Sequence, residues 1–314
     1  MNTKVAVVGA GLIGRAWAIV FARAGVPVRL YDADPAVLDA AAERLAESLA
    51  DLKRFRLIED PAAVQRLVTP APDLAAALDG VDYVQECGPE RLEAKREIFA
   101  RLEAAAPETA ILASSSSGLV ASSFSGGLRR PERCLVAHPV NPPYLIPLVE
   151  LCPAPDTDPQ AVETARALME RVGQAPILVR KEVEGFALNR LQGALLNEAL
   201  RLYEDGVCSA EDLDRTIKYG LGLRWSFIGP FETIDLNAPG GLADYAERYA
   251  PLYESLGRQQ ADPRPWSPAT VAALERERRE LLSEDHLAER QAWRDRRLMA
   301  LTAHKLAAGR DIGE

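Results

Sequence analysis

Apolar and polar positions follow two regimes along the 314 residues. In the first, short β-branched or apolar runs recur at Lys4–Val8, Pro27–Tyr31, Arg66–Thr69, Asp82–Glu86, Ala110–Ala113, Cys134–Ala137, Leu148–Leu151 and Ala175–Val179. Between several of them lie stretches with apolar residues three and four apart: Ile13 to Gly25, Pro35–Asp51, Asp73–Leu78, Glu90–Ala105 and Gln160–Val172. Alternating strand and helix periods predict an α/β unit, a doubly wound and mostly parallel sheet covered on both faces. After about Lys181 only the helical period remains, at Gly185–Tyr203, Ala210–Tyr219, Gly240–Leu256 and Pro268–Leu306. The expected division is therefore residues 1–184 as the sheet domain and 185–314 as an all-α domain.

Composition narrows the partners. Hydrophobic residues make up 48% and charged residues 26% of the chain, which fits a folded globular protein. A formal net charge of -9 repels phosphate backbones and argues against nucleic acid. The longest uncharged stretch, residues 109–128, holds seven serines and is no membrane span. Cys87, Cys134, Cys152 and Cys208 form no C-x-x-C pair, so neither a disulfide framework nor a zinc site is expected. With no signal-like opening, the expectation is a reduced, soluble, cytoplasmic protein. The tail, with its E-R-E-R-R-E run, reads as a solvated helix face.

Gly9-Ala10-Gly11-Leu12-Ile13-Gly14 is a G-x-G-x-x-G loop between the first strand and the first helix. The first glycine permits the turn, the second admits a pyrophosphate, and the third lets helix and strand touch. The helix N-terminus then offers Leu12 and Ile13 amides to the phosphates. Asp32 ends the second strand 18 residues beyond Gly14, where its carboxylate suits ribose hydroxyls and repels a 2′-phosphate. NAD is the expected cofactor over NADP; FAD uses a related fingerprint, which the loop alone leaves open.

Four further blocks lie downstream: Ser114–Ser117 after the fifth strand, His138-Pro139-Val140-Asn141-Pro142-Pro143 after the sixth, Glu150, and Gly185-Phe186-Ala187-Leu188-Asn189-Arg190. In order and spacing they resemble the 3-hydroxyacyl-CoA dehydrogenase family over nearly the whole chain. Tyr144 after the histidine block, Gly220–Pro230 and Trp293–Met299 look most like its lambda-crystallin branch, whose enzymes oxidise L-gulonate at C3. The resemblance implies a Rossmann domain, a helical domain that makes a homodimer, NAD, and oxidation of a secondary alcohol.

It also implies roles. His138, one of three histidines, would be the general base in oxidation and the acid in reduction, a task for which imidazole is suited near neutrality. Glu150 would orient it. Ser117 and Asn189 would bind the reacting oxygen, with Ser115 or Ser116 open as alternatives to Ser117. Glu90, Lys95, Ser117 and Asn141 would lie along the ribose and nicotinamide. A CoA thioester would need a basic face near Ser48; only Lys53, Arg54 and Arg56 follow, among acidic neighbours. A small hydroxy acid instead needs a buried cation, for which Arg224 is the candidate. L-Carnitine, met by an aromatic cage from Tyr144, Trp225 and Phe227, is a further option. A crystallin-like protein that binds NAD without turnover is the reading from a different class.

Overall fold

The computed structural model describes residues 3–313. Eight strands form one sheet: β1 Val5–Val8, β2 Val28–Tyr31, β3 Val68–Pro70, β4 Tyr83–Glu86, β5 Ile111–Ser114, β6 Cys134–Pro139, β7 Leu148–Pro153 and β8 Ala175–Leu178. Their order is β3-β2-β1-β4-β5-β6-β7-β8. The first six strands run parallel in the Rossmann order, β7 is antiparallel to β6, and β8 is parallel to β7.

Side chains alternate across the sheet. Val5 and Val7 enter one core, with Trp17, Phe21 and Leu49, while Ala6 and Val8 enter the other, with Phe99, Phe124 and Phe186. The helices that cover these faces are α1 Leu12–Arg23, α2 Pro35–Arg54, α3 Pro61–Arg66, α4 Leu74–Leu78, α5 Leu92–Ala105, α6 Ala121–Ser125 and α7 Pro159–Arg171. Several start at aspartates that cap them, as Asp34, Asp60, Asp73 and Asp158 do. The expected elements did not include α3; Asp60 followed by Pro61 is the start signal that marks it.

The remaining helices are α8 Leu188–Glu204, α9 Ala210–Thr216, α10 Gly222–Arg224, α11 Pro230–Asp235, α12 Gly241–Gln260, α13 Pro268–Leu281 and α14 Leu287–Ile312. The run expected as one helix over 268–306 is broken. Leu282 turns extended, and a side-chain hydrogen bond between Ser283 Oγ and His286 Nδ1, at 2.7 Å, spans the break.

Two compact units result. Among the described residues, the sheet unit comprises those up to Arg190 together with Ala292–Asp311, and the helical unit is Leu191–Gln291 with Ile312 and Gly313. Met299 and Leu298, late in the chain, pack into the sheet unit's core. Within Leu191–Gln291 the single buried residue is Thr233. No helix among the described residues is long and apolar enough to cross a membrane.

Candidate active site

The glycine loop is shaped by contact. Gly9 has φ +105, and a Cβ there would lie 2.7 Å from the Cys87 carbonyl oxygen. A Cβ on Gly14 would lie 1.7 Å from the Gly9 carbonyl oxygen. Over Gly11, in contrast, nothing approaches within 4 Å. No side chain caps Gly11 at the start of α1, so the first amides of that helix, including those of Leu12 and Ile13, face open space. Asp32 closes the loop: its Oδ2 accepts the Ala10 N–H at 2.7 Å and its Oδ1 the Asp34 N–H at 2.9 Å. Free amides on a helix dipole, room over one glycine and a carboxylate at the end of β2 fit the pyrophosphate and ribose of NAD. Beside the loop, burial pushes the Cys87 thiol up to about 12, which keeps it neutral.

The antiparallel turn between β6 and β7 puts His138 directly opposite Glu150. His138 Nδ1 meets Glu150 Oε2 at 2.8 Å, with His138 5% and Glu150 0% exposed. The other carboxylate oxygen accepts the Ala187 and Leu188 N–H groups, both at 2.9 Å, at the start of α8. Left-handed backbone at Gly185 and Phe186 (φ 74 and 51) turns the chain there. It also buries the Phe186 ring, whose centroid is 5.6 Å from that of His138. Burial pushes Glu150 up, but the His138 hydrogen bond and the two amides outweigh it and hold the carboxyl below its usual range. So paired, His138 carries its proton on Nδ1 and presents the lone pair of Nε2.

The serine run divides its labour. Ser114 Oγ donates to Glu86 at 2.7 Å. Ser115 Oγ accepts from Trp17 Nε1 at 3.2 Å and from Gln85 Nε2 at 2.7 Å. Ser116 Oγ donates to Glu90 Oε1 at 2.7 Å. Ser117 is exposed, and its hydroxyl enters no hydrogen bond among the described residues, though its N–H donates to Glu90 at 2.9 Å. Asn189 Nδ2 donates to the Ser117 carbonyl at 2.7 Å. Asn189 therefore meets Ser117 directly.

The other expected residues fall elsewhere. Lys95 is 1% exposed and ion-paired to Glu86 at 2.7 Å, so its ammonium is enclosed by protein. Asn141 lies on the loop after β6, and its Oδ1 is buried without a hydrogen-bond partner. Arg224 belongs to the helical unit and is exposed, donating to Asn237 Oδ1 at 3.3 Å. The expected burial of this cation is absent because that unit has almost no interior of its own. Tyr144 is buried in the core, so its ring does not offer a cage wall. Glu86 was missed from the sequence. Its signal was an acid ending a strand that is otherwise buried throughout.

A Rossmann sheet with an open glycine loop, beside a buried histidine–carboxylate pair, defines an NAD-dependent dehydrogenase class. Family models agree: the 3-hydroxyacyl-CoA dehydrogenase NAD binding domain matches residues 4–183 and the C-terminal domain of that family residues 185–280. The chain belongs to the 3-hydroxyacyl-CoA dehydrogenase family, NAD-dependent oxidoreductases of CH–OH groups. It is similar to lambda-crystallin of Oryctolagus cuniculus, 42% identical over 96% of each chain. An L-carnitine dehydrogenase of a Pseudomonas species is 38% identical over 78% of this chain and 76% of its own. Among solved structures, 5-formyl-3-hydroxy-2-methylpyridine 4-carboxylic acid 5-dehydrogenase, an NAD-dependent dismutase, matches with a TM-score of 0.82 at 28% identity, covering 97% of this chain and 98% of that one.

Proposed function

We propose that the protein oxidises the 3-hydroxyl of a small hydroxy acid, L-gulonate first, with NAD. The observation that carries this is the buried His138–Glu150 pair with an unengaged Nε2. Bound NAD supplies the hydride acceptor. His138 Nε2 takes the hydroxyl proton, and Glu150 stabilises the imidazolium that forms. The free Ser117 hydroxyl, three residues beyond β5, donates to the reacting oxygen. Asn189 holds Ser117 and has a second amide hydrogen for the same oxygen. Asn141 Oδ1 suits the nicotinamide carboxamide as an acceptor, and Glu90 lines the ribose side. Intact groups at each of these positions speak against a silent crystallin-like role.

Two features favour a small substrate over an acyl-CoA. In the Ser48 region, where the family resemblance would seat CoA, the Ser48 hydroxyl already donates to the Arg44 carbonyl at 3.2 Å, and Asp295, Arg294 and Asp51 are the charged neighbours of the buried Tyr144 phenol. Arg224 has no carboxylate partner among the described residues, which leaves its charge for a substrate carboxylate.

The test is initial rates with NAD against L-gulonate, L-3-hydroxybutyrate, L-carnitine and 3-hydroxybutyryl-CoA, with NADP as a parallel arm. The highest kcat/KM is expected for L-gulonate with NAD. A higher value for the thioester or for L-carnitine overturns the substrate, and preference for NADP overturns the part given to Asp32. Arg224→Ala should raise the L-gulonate KM by roughly ten- to a hundredfold, the worth of a hydrogen bond to a charged group; an unchanged KM removes Arg224.

The helical unit also supports a homodimer. Phe227 and Phe231 are 70% and 76% exposed, and Leu223 and Leu236 are exposed nearby in sequence. Sedimentation should find two chains, and Phe227→Asp combined with Phe231→Asp should find one. A monomeric parent protein would refute the assembly.

A further inference from the structure

We infer that Glu86 is a positioning residue: from the buried end of β4 it holds Lys95 beside Glu90, and thereby fixes the backbone that presents Ser117. This rests on the reading of Ser117 given above. Glu86 and Lys95 are 0% and 1% exposed. Lys95 Nζ donates to both Glu86 oxygens, at 2.9 and 2.7 Å, and to the Gly88 carbonyl at 3.2 Å. The Glu86 carboxylate also accepts the Ser114 hydroxyl at 2.7 Å and the Gly88 N–H at 2.5 Å. Glycine at 88 leaves room for this approach: a Cβ there would lie 2.7 Å from Ile98 Cδ1 and 2.8 Å from Glu86 Oε1, and both side-chain ends would have to shift.

So anchored, Lys95 stands 4.0 Å from Glu90 Oε2, near enough to favour its charge but too far to bond it. Glu90 Oε1 is then free to gather the loop. It accepts the Ser116 hydroxyl at 2.7 Å and the N–H groups of Ser117 at 2.9 Å and Gly118 at 3.1 Å. Ser117 is thus pinned at its N–H by Glu90 and at its carbonyl by Asn189, while its hydroxyl stays free. Burial pushes Glu90 up, but these hydrogen bonds and Lys95 together bring it below the usual carboxylate range. A buried ion pair is weak evidence for stability, since desolvation offsets most of the attraction. Its worth here is geometric. With the pair gone, Glu90 would lose the ammonium that stands beside it, and its hold on the loop amides would loosen.

The test removes both charges together, in Glu86→Gln/Lys95→Met, so that no lone buried charge remains. Hydrogen exchange by mass spectrometry, on a peptide spanning residues 115–120, should accelerate about tenfold or more while β4 and β5 stay protected. Turnover should fall at least about tenfold with substrate KM little changed, a ground-state-silent loss. Ser117→Ala should cost less in this background than alone, because both changes act on one group. Unchanged exchange overturns the anchor whatever turnover does. Faster exchange with unchanged turnover overturns Ser117's part in the reaction, and with it the positioning role. Should the double variant not fold, Glu86→Asp, which keeps the charge but withdraws it by one carbon, is read in the same way.

Discussion

His138→Ala is expected to lower kcat by roughly 10²–10⁴-fold, the usual worth of a placed general base, while NAD affinity is retained. The imidazole is buried beneath the site and meets Glu150 through Nδ1, so its loss removes proton transfer without touching the glycine loop. Glu150 acts on the acid side. Its folded carboxyl lies below the ordinary range, so its contribution to stability is present above about pH 4.3, the unfolded glutamate value. That contribution is lost as pH falls through the lower folded value. The pair therefore survives the whole working range of a neutral enzyme. Stopped-flow rates of the variant and acid unfolding of the parent check this; turnover like the parent's rejects His138 as the base.

Gly14→Ala is expected to do the opposite damage, to fold and cofactor rather than to proton transfer. The new methyl would lie 1.7 Å from the Gly9 carbonyl, a backbone atom with no rotamer to yield. Relief requires α1 to lift from β1, and with it Trp17 and Phe21, both 0% exposed. Overpacking of this kind costs about 1–3 kcal/mol or more. For a chain of this size that is a drop in Tm of several degrees, with weaker NAD binding. Gly11→Ala makes the contrast. Its backbone is ordinary (φ -63, ψ -166) and nothing stands within 4 Å, so Tm should hold while NAD affinity falls. Thermal melts and NAD titrations followed by tryptophan fluorescence decide both. Equal behaviour of the two alanine variants would refute the division of labour between these glycines.

Much of the fold was legible because the sheet writes itself in short apolar runs, and each of the eight expected strands is present. Strand direction was not legible. Leu148–Leu151 has the same apolar character as its parallel neighbours, and only the short Val140–Pro147 connection distinguishes it. That reversal is what turns His138 and Glu150, 12 residues apart, into direct neighbours. Lys95 shows the opposite limit. The sequence placed it along the cofactor, and only the fold reveals that its ammonium turns to Glu86, the last residue of β4. Ser117 could not be separated from Ser115 and Ser116 by spacing. Their hydroxyls differ by what surrounds them, which is a tertiary property.

The β6–β7 register also sets how this chain can vary without losing its chemistry. The connection is itself packed, with Pro143, Tyr144 and Leu145 buried, so residues inserted there would meet the core. A slip of one residue within β7 has a different consequence, because alternate side chains face opposite sides of the sheet. It would bring Val149 or Leu151 opposite His138 and send the carboxylate into the far core. A slip of two would restore the face but set Leu148 or Cys152 opposite His138, so descendants of this chain are held to this one register wherever they keep its chemistry.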